Sequence, residues 1–342
     1  MRRYQIIFAM LAMLAFVVAG SRGGGEAKGT ASLAESGAQS APQTEQYAGF
    51  VTAGAEEVER AFGKVRESYV PRNNAEQTAA LDPLSPLAEI FRTVSDEPVP
   101  DINISVGLVA DLKTNQVYWG LNRDKRWPLA SITKLASAAF AKSHMKETDS
   151  ATVTRQALEE IGDASEAKFS PGEIYSVGDL IRAALLFSSN ESAETLAISY
   201  GREKSLEGTN ALVKEWGANE THFEDPTGLS VANQSTASDI LRMARAVYEQ
   251  YPDLLKITRT PKLTLTELGK KKKLTYQNIN QFAGRGDFIG GKTGYTEDAG
   301  ENLVSIFAYE GRPIAIVVLG AEDRFAATEF LLQWFKETHT SR

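Results

Sequence analysis

What most constrains this chain is the order in which its hydrophobic periodicity changes. Ile102–Asp111 and Gln116–Leu121 alternate like two strands around a turn at Lys113–Asn115, and Ala130–Lys146 is helical in composition. Ser176–Tyr251 is then mostly helical, with Ser176 and Asp179 spaced as a capping box. Strand-like runs return at Lys262–Leu268 and Leu274–Asn278, joined by a lysine-rich turn, and at Gly291–Thr296, Leu303–Tyr309 and Ile314–Leu319. Arg324–Glu337 closes as an amphipathic helix. Strands, helices, strands and a helix in that order predict an α+β fold: an antiparallel sheet of about five strands flanked by helices, with an all-helical subdomain inserted near residues 150–250.

Upstream of this domain, residues 1–20 pair basic Arg2 and Arg3 with an apolar run of 14 residues, Ile6–Ala19, and with small residues at Ala19, Gly20 and Ser21. This is the pattern of an export signal, or of an N-terminal anchor if uncleaved, so the expected location is the cell envelope. Position 21 is Ser, which offers no thiol for a lipid. Residues 21–52 are mostly small and polar and read as a disordered linker. In 53–100, Val58, Phe62, Val65 and Tyr69 fall on one helical face before a Pro-rich connection, and the compact domain is expected to begin near Ile102 and run through 101–342.

Composition removes several kinds of chemistry. The 342 residues hold 37 Lys and Arg against 44 Asp and Glu, the wrong balance for coating nucleic acid. There is no Cys, and the histidines are His144, His222 and His339, so thiolate catalysis, disulfides and the usual Cys/His zinc sites are absent or nearly so; neither metal nor organic cofactor is implied where the chemistry is that of Ser and Lys on an acyl group. Hydrolysis by such a chain has to use oxygen or lysine chemistry.

Three short segments offer it. Ser131 and Lys134 are three apart at the start of a predicted helix and so share a face. A lysine that loses solvation can be neutral and take the serine proton, and a helix N-terminus favours the negative charge that develops on an attacked carbonyl. Ser143 and Lys146 repeat the spacing at the tail of the same helix and read as solvated surface. Ser188, Ser189 and Asn190 break two helical runs, where a polar interruption either caps the second helix or delivers side chains to a cleft. Lys292, Thr293 and Gly294 follow Gly290 and Gly291, so this strand can approach a ligand or pair with a peptide.

Taken together, S-x-x-K at Ser131, S-x-N at Ser188 and K-T-G at Lys292 make the chain resemble the serine D-Ala-D-Ala carboxypeptidases, the low-molecular-mass penicillin-binding proteins of the DD-peptidase/β-lactamase-like superfamily. The resemblance covers about Ile102 to Glu337 and extends to Trp127–Ala130, Phe169–Gly172, Asp225–Ser230 (DPTGLS) and Ala299–Val304 (AGENLV). It implies Ser131 as the acylated nucleophile, Lys134 as general base, Ser188 as proton relay to the leaving amine, and Asn190 as holder of the substrate amide and of Lys134. It further implies a positive charge from Lys292, carboxylate recognition by Thr293 and Arg324, and an oxyanion hole from the N–H groups of Ser131 and of Tyr295, which follows Gly294. The implied partners are peptidoglycan stem peptides ending in D-Ala-D-Ala and, as covalent inhibitors, β-lactams. Membrane contact is expected only through the N-terminal segment.

Two departures change the shape of the cleft and remove no required group: Ser189 stands where well-known members have Gly, and Tyr295 where some have His. Only Thr338–Arg342 follow the last helix, so the C-terminal β-domain of larger members is not expected. A D,D-endopeptidase would use all the same residues. A class A-like β-lactamase needs a deacylating glutamate, and Glu215 and Asn219 precede Thr221–Phe223 where the corresponding loop should follow, so a long-lived penicillin adduct is expected. A non-catalytic peptidoglycan-binding protein is the alternative from another class.

Overall fold

The structure is a computed structural model and describes residues 91–99, 101–165 and 167–341. The expected signal, linker and amphipathic helix of residues 1–90 lie outside the described residues.

In chain order the strands are β1 (Phe91–Thr93), β2 (Val106–Asp111), β3 (Val117–Leu121), β4 (Trp127–Pro128), β5 (Ser150–Thr152), β6 (Ile174–Ser176), β7 (Gln234–Ser235), β8 (Lys262–Glu267), β9 (Lys272–Gln277), β10 (Phe288–Thr296), β11 (Gly300–Tyr309), β12 (Arg312–Ala321) and β13 (His339–Ser341). The helices are α1 (Lys134–His144), α2 (Arg155–Ile161), α3 (Val177–Leu186), α4 (Asn190–Tyr200), α5 (Arg202–Glu215), α6 (Ala237–Gln250), α7 (Pro252–Thr258) and α8 (Arg324–Thr338).

Five strands form the antiparallel sheet in the order β10-β11-β12-β2-β3, so the chain's first long strand lies beside its last. Alternation explains why the sheet sits in the middle of the molecule. Val106, Leu108 and Ala110 of β2 and Ala315, Val317 and Leu319 of β12 face the core shared with the helical subdomain. Val109 and the intervening Ile314, Ile316 and Val318 face a second core under α8, with Leu331, Leu332 and Phe335. Burial on both faces turns these strands into near-continuous apolar runs. Arg312 pins their register, holding the fully buried Asp111 through two 2.8 Å bonds.

Four local results differ from the sequence reading. The helix expected from Ala130 opens as a 3₁₀ turn, Ala130–Thr133, and only then becomes α1. At Ser176 half of the capping box forms: Ser176 Oγ accepts the Asp179 N–H at 3.0 Å, while Asp179 accepts from Thr266 N–H and Arg182. The β8–β9 hairpin is a separate two-stranded sheet, because alternation identifies a strand and not its partner; Lys270 and Lys271 make its turn, while Lys272 and Lys273 already belong to β9. Pairing also begins upstream of Ile102, where β1 joins β13 and packs Phe91 on Phe335. No described helix is long and apolar enough to cross a membrane.

Candidate active site

The 3₁₀ turn Ala130–Thr133 lies where the sheet meets the helical subdomain, and buried polar groups hold it on several sides. Asn302 of β11, fully buried, donates to Pro128 O at 2.8 Å and Leu129 O at 3.2 Å and accepts the Gly320 N–H. Asn233 accepts the Leu129 N–H on its carbonyl oxygen at 2.8 Å and reaches Thr133 Oγ1 at 3.2 Å with its side chain. Gly228 packs so closely that a Cβ there would stand 1.9 Å from Ala130 O, and one on Gly294 would stand 3.1 Å from Ser131 N. Ala130 has φ +49°, a left-handed conformation costly for any residue with a side chain and concentrated at functional sites.

Ser131 therefore sits between the DPTGLS segment and edge strand β10. Lys134 is fully buried, and its Nζ donates to Ser131 Oγ, Asn190 Oδ1 and Thr227 O, each at 2.7 Å. The other end of the Asn190 amide donates to Ala164 O at 2.7 Å. Ser188 has φ +67°, and its Oγ accepts from Lys292 Nζ at 2.9 Å; Lys292 also donates to Thr293 O at 2.9 Å. The first two motifs thus touch through Lys134–Asn190, and the second and third through Lys292–Ser188. Ser189 Oγ accepts the Ser192 N–H as the N-cap of α4, while its neighbours Ser188 and Asn190 bond Lys292 and Lys134.

Arg324, in the first turn of α8, donates from Nη1 to Gly294 O at 2.9 Å, while its Nε is buried without a hydrogen-bond partner, 4.0 Å from Glu301 Oε2. Burial pulls the Arg324 pKa down, and the charges of Glu301 and Asp323 act in the opposite sense. Thr293 is buried on β10, and the Tyr295 side chain is exposed beyond it. Ser143 of the second S-x-x-K is exposed and bonds Ala139 O and the Tyr251 hydroxyl.

Asp225 escaped the sequence reading except as part of a segment. Burial raises its pKa, but the Thr227 hydroxyl and the N–H groups of Ser230, Gly228 and Thr227 outweigh this and leave it lowered. Its role is to fold the loop that presents Thr227 O to Lys134. Among the described residues no cluster of three His, Asp or Glu side chains is arranged to hold a metal.

A sheet backed by helices, with Ser, Lys, Ser, Asn and Lys converging at its edge, defines the DD-peptidase fold of penicillin-binding proteins. The D-alanyl-D-alanine carboxypeptidase family model, peptidase S11, matches residues 93–323, more than half of the chain, and the chain belongs to that family. It is 32% identical over 247 residues to a D-alanyl-D-alanine endopeptidase of Escherichia coli, covering 69% of this chain and 78% of that one. To a D-alanyl-D-alanine carboxypeptidase of Mycobacterium tuberculosis it is 30% identical over 229 residues, covering 65% and 76%. A crystal structure of a D-alanyl-D-alanine carboxypeptidase from Mycobacterium tuberculosis superimposes with a TM-score of 0.66 at 25% identity, covering 73% of this chain and 98% of that one. A penicillin-binding protein of Listeria monocytogenes in its ampicillin-bound form gives 0.60 at 25% identity, covering 69% and 98%.

Proposed function

We propose that this protein is an exported serine D-Ala-D-Ala carboxypeptidase acting on peptidoglycan stem peptides through a Ser131 acyl-enzyme, and that β-lactams trap it. The observation that carries this reading is the set of three 2.7 Å bonds around Lys134 Nζ. As an ammonium, Lys134 donates to all three acceptors. As a neutral amine it keeps two N–H bonds, to Asn190 Oδ1 and Thr227 O, and turns its lone pair to the Ser131 hydroxyl; burial works against the charged form of an amine.

The roles implied by the family resemblance, set on that geometry, give the reaction. Lys134 takes the Ser131 proton as Oγ attacks the D-Ala carbonyl, and the N–H groups of Ser131 and Tyr295 receive the oxyanion. Ser188, held by Lys292, relays the proton that Lys134 took to the leaving amine as the C–N bond breaks, which leaves Lys134 neutral again. Thr293 and Arg324 receive the substrate carboxylate beside Gly294. Water then attacks the ester, giving its proton to Lys134, which returns it to Ser131 Oγ as the C–O bond to the acyl group breaks. Asp225 is engaged by its own loop, and Glu224 is exposed and paired with His222 at 2.6 Å, so neither activates water for rapid release of a penicilloyl group.

Cleavage of cross-links is the second reading, favoured by the 32% identity to the Escherichia coli endopeptidase. Both cuts attack the same type of D-Ala carbonyl and differ in the leaving amine. Incubation with a stem pentapeptide and with a cross-linked muropeptide dimer separates them: free D-Ala from the first supports the carboxypeptidase, monomers from the second alone support the endopeptidase, and turnover of neither refutes both.

A further inference from the structure

Glu191 directly follows the Ser188–Asn190 segment, is fully buried, and has no part in the chemistry above. Its carboxylate accepts four donors. Oε1 takes the Ser165 hydroxyl at 2.5 Å and the N–H groups of Ala167 and Lys168 at 2.9 Å each, and Oε2 takes the Ser189 hydroxyl at 2.9 Å. Burying a carboxylate is costly unless its lone pairs are satisfied, and bonds to a charged acceptor are about twice as strong as neutral ones. Glu191 is therefore a rivet between the start of α4 and the loop that follows α2. Lys168 in that loop has φ +53°, a conformation that needs such a restraint. From the far side, the Tyr276 hydroxyl donates to Ala167 O at 3.3 Å while its ring stacks on Phe187, the residue before Ser188.

The same loop supplies Ala164 O, which claims the NH₂ end of the Asn190 amide at 2.7 Å and leaves the oxygen end to Lys134 Nζ. Were Ala164 O to move, the amide would keep the Lys134 bond at its oxygen end but lose the anchor that holds its other end in place. A reversed amide would set donor against donor. We propose that Glu191 is a positioning residue: through the loop carrying Ala164, Ser165, Ala167 and Lys168 it sets the orientation of Asn190, and through Asn190 that of Lys134. This inference rests on the reading of Ser131 and Lys134 as the acylating pair.

The test is the first-order rate of Ser131 acylation by saturating benzylpenicillin, in the full chain, for wild type, Glu191→Gln and Ser165→Ala, each with and without Asn190→Ala. Misplacing a catalytic group by a fraction of an ångström predicts a loss of about tenfold for Glu191→Gln, with the non-covalent affinity for penicillin unchanged. Ser165→Ala, which removes one exposed hydroxyl donor, is expected to lose about threefold. In the Asn190→Ala background both effects vanish, because the residue they act through is gone.

A Glu191→Gln rate equal to wild type overturns the proposal. So does an undiminished loss in the Asn190→Ala background, which would make Glu191 a structural residue only. If thermal unfolding shows that Glu191→Gln does not fold, Ser165→Ala decides by the same two criteria. Wild type that is never acylated refutes the proposed function itself and this inference with it, a failure distinct from a variant-specific one.

Discussion

Lys292 Nζ donates to Ser188 Oγ at 2.9 Å across 104 residues of chain, and the serine that accepts the bond stands at φ +67°. A side-chain-bearing residue in that region carries a cost of about 1–2 kcal/mol and stays there only where its surroundings impose it. The imposition comes from Ser189, whose N–H donates to Ala183 O at 3.2 Å while its hydroxyl caps α4. Ser188 is held in a strained conformation at the place where Lys292 reaches it.

Ser188→Gly separates strain from chemistry. Glycine adopts φ +67° freely, so Ser188→Gly should be more stable than Ser188→Ala, which lacks the same hydroxyl, by up to about 1 kcal/mol. Acylation should slow by about a hundredfold with loss of the relay hydroxyl. Ser188→Ala loses the same acceptor for Lys292 but keeps the strain, so a midpoint for Ser188→Gly no higher than that of Ser188→Ala would contradict the strain argument, and unchanged acylation would contradict the relay.

Gly228→Ala tests how the nucleophile turn is held. With φ +89° and a Cβ 1.9 Å from Ala130 O, the substitution must displace backbone rather than a flexible side chain. Overpacking of this kind costs about 1–3 kcal/mol, and here it should also disable acylation because the turn carries Ser131. Calorimetric unfolding and adduct formation measure the two effects, and a variant as stable and as reactive as wild type would show that the contact is slack.

His339 gives the fold a pH dependence. Its ring is buried, stacked on Phe335 at 4.8 Å and edge-on to Tyr118, with Nδ1 2.8 Å from Thr338 Oγ1. Burial lowers its pKa below the ordinary 6.5, against a smaller opposing effect of a backbone bond at Phe335. The unfolded chain therefore binds this proton first, so the contribution is complete above about pH 6.5 and is lost as pH falls through the folded value. Urea midpoints measured from pH 7.5 down to pH 5 should decline more steeply for wild type than for His339→Phe, and parallel declines would contradict the assignment.

The layered sheet was legible because alternating residues on β2 and β12 feed two separate cores, and the cleft because Ser131, Ser188 and Lys292 recur in one order with recognisable neighbours. The supports were not legible. Asn302, Asn233 and Glu191, all buried, each look in sequence like a turn, cap or surface residue, and only the structure reveals that they bind backbone of other segments, while half-buried Asp225 folds its own loop. The positive φ of Ala130 and Ser188 left no signal either, since neither residue is glycine. β1 escaped notice because three residues carry too little pattern to announce a partner at the far end of the domain.

The most direct test of the account is intact-mass spectrometry of the full chain after exposure to benzylpenicillin, followed over hours beside Ser131→Ala. The account predicts a single penicilloyl adduct on wild type that persists, and none on the variant. An unmodified wild type, or equal labelling of both proteins, would contradict Ser131 as the nucleophile.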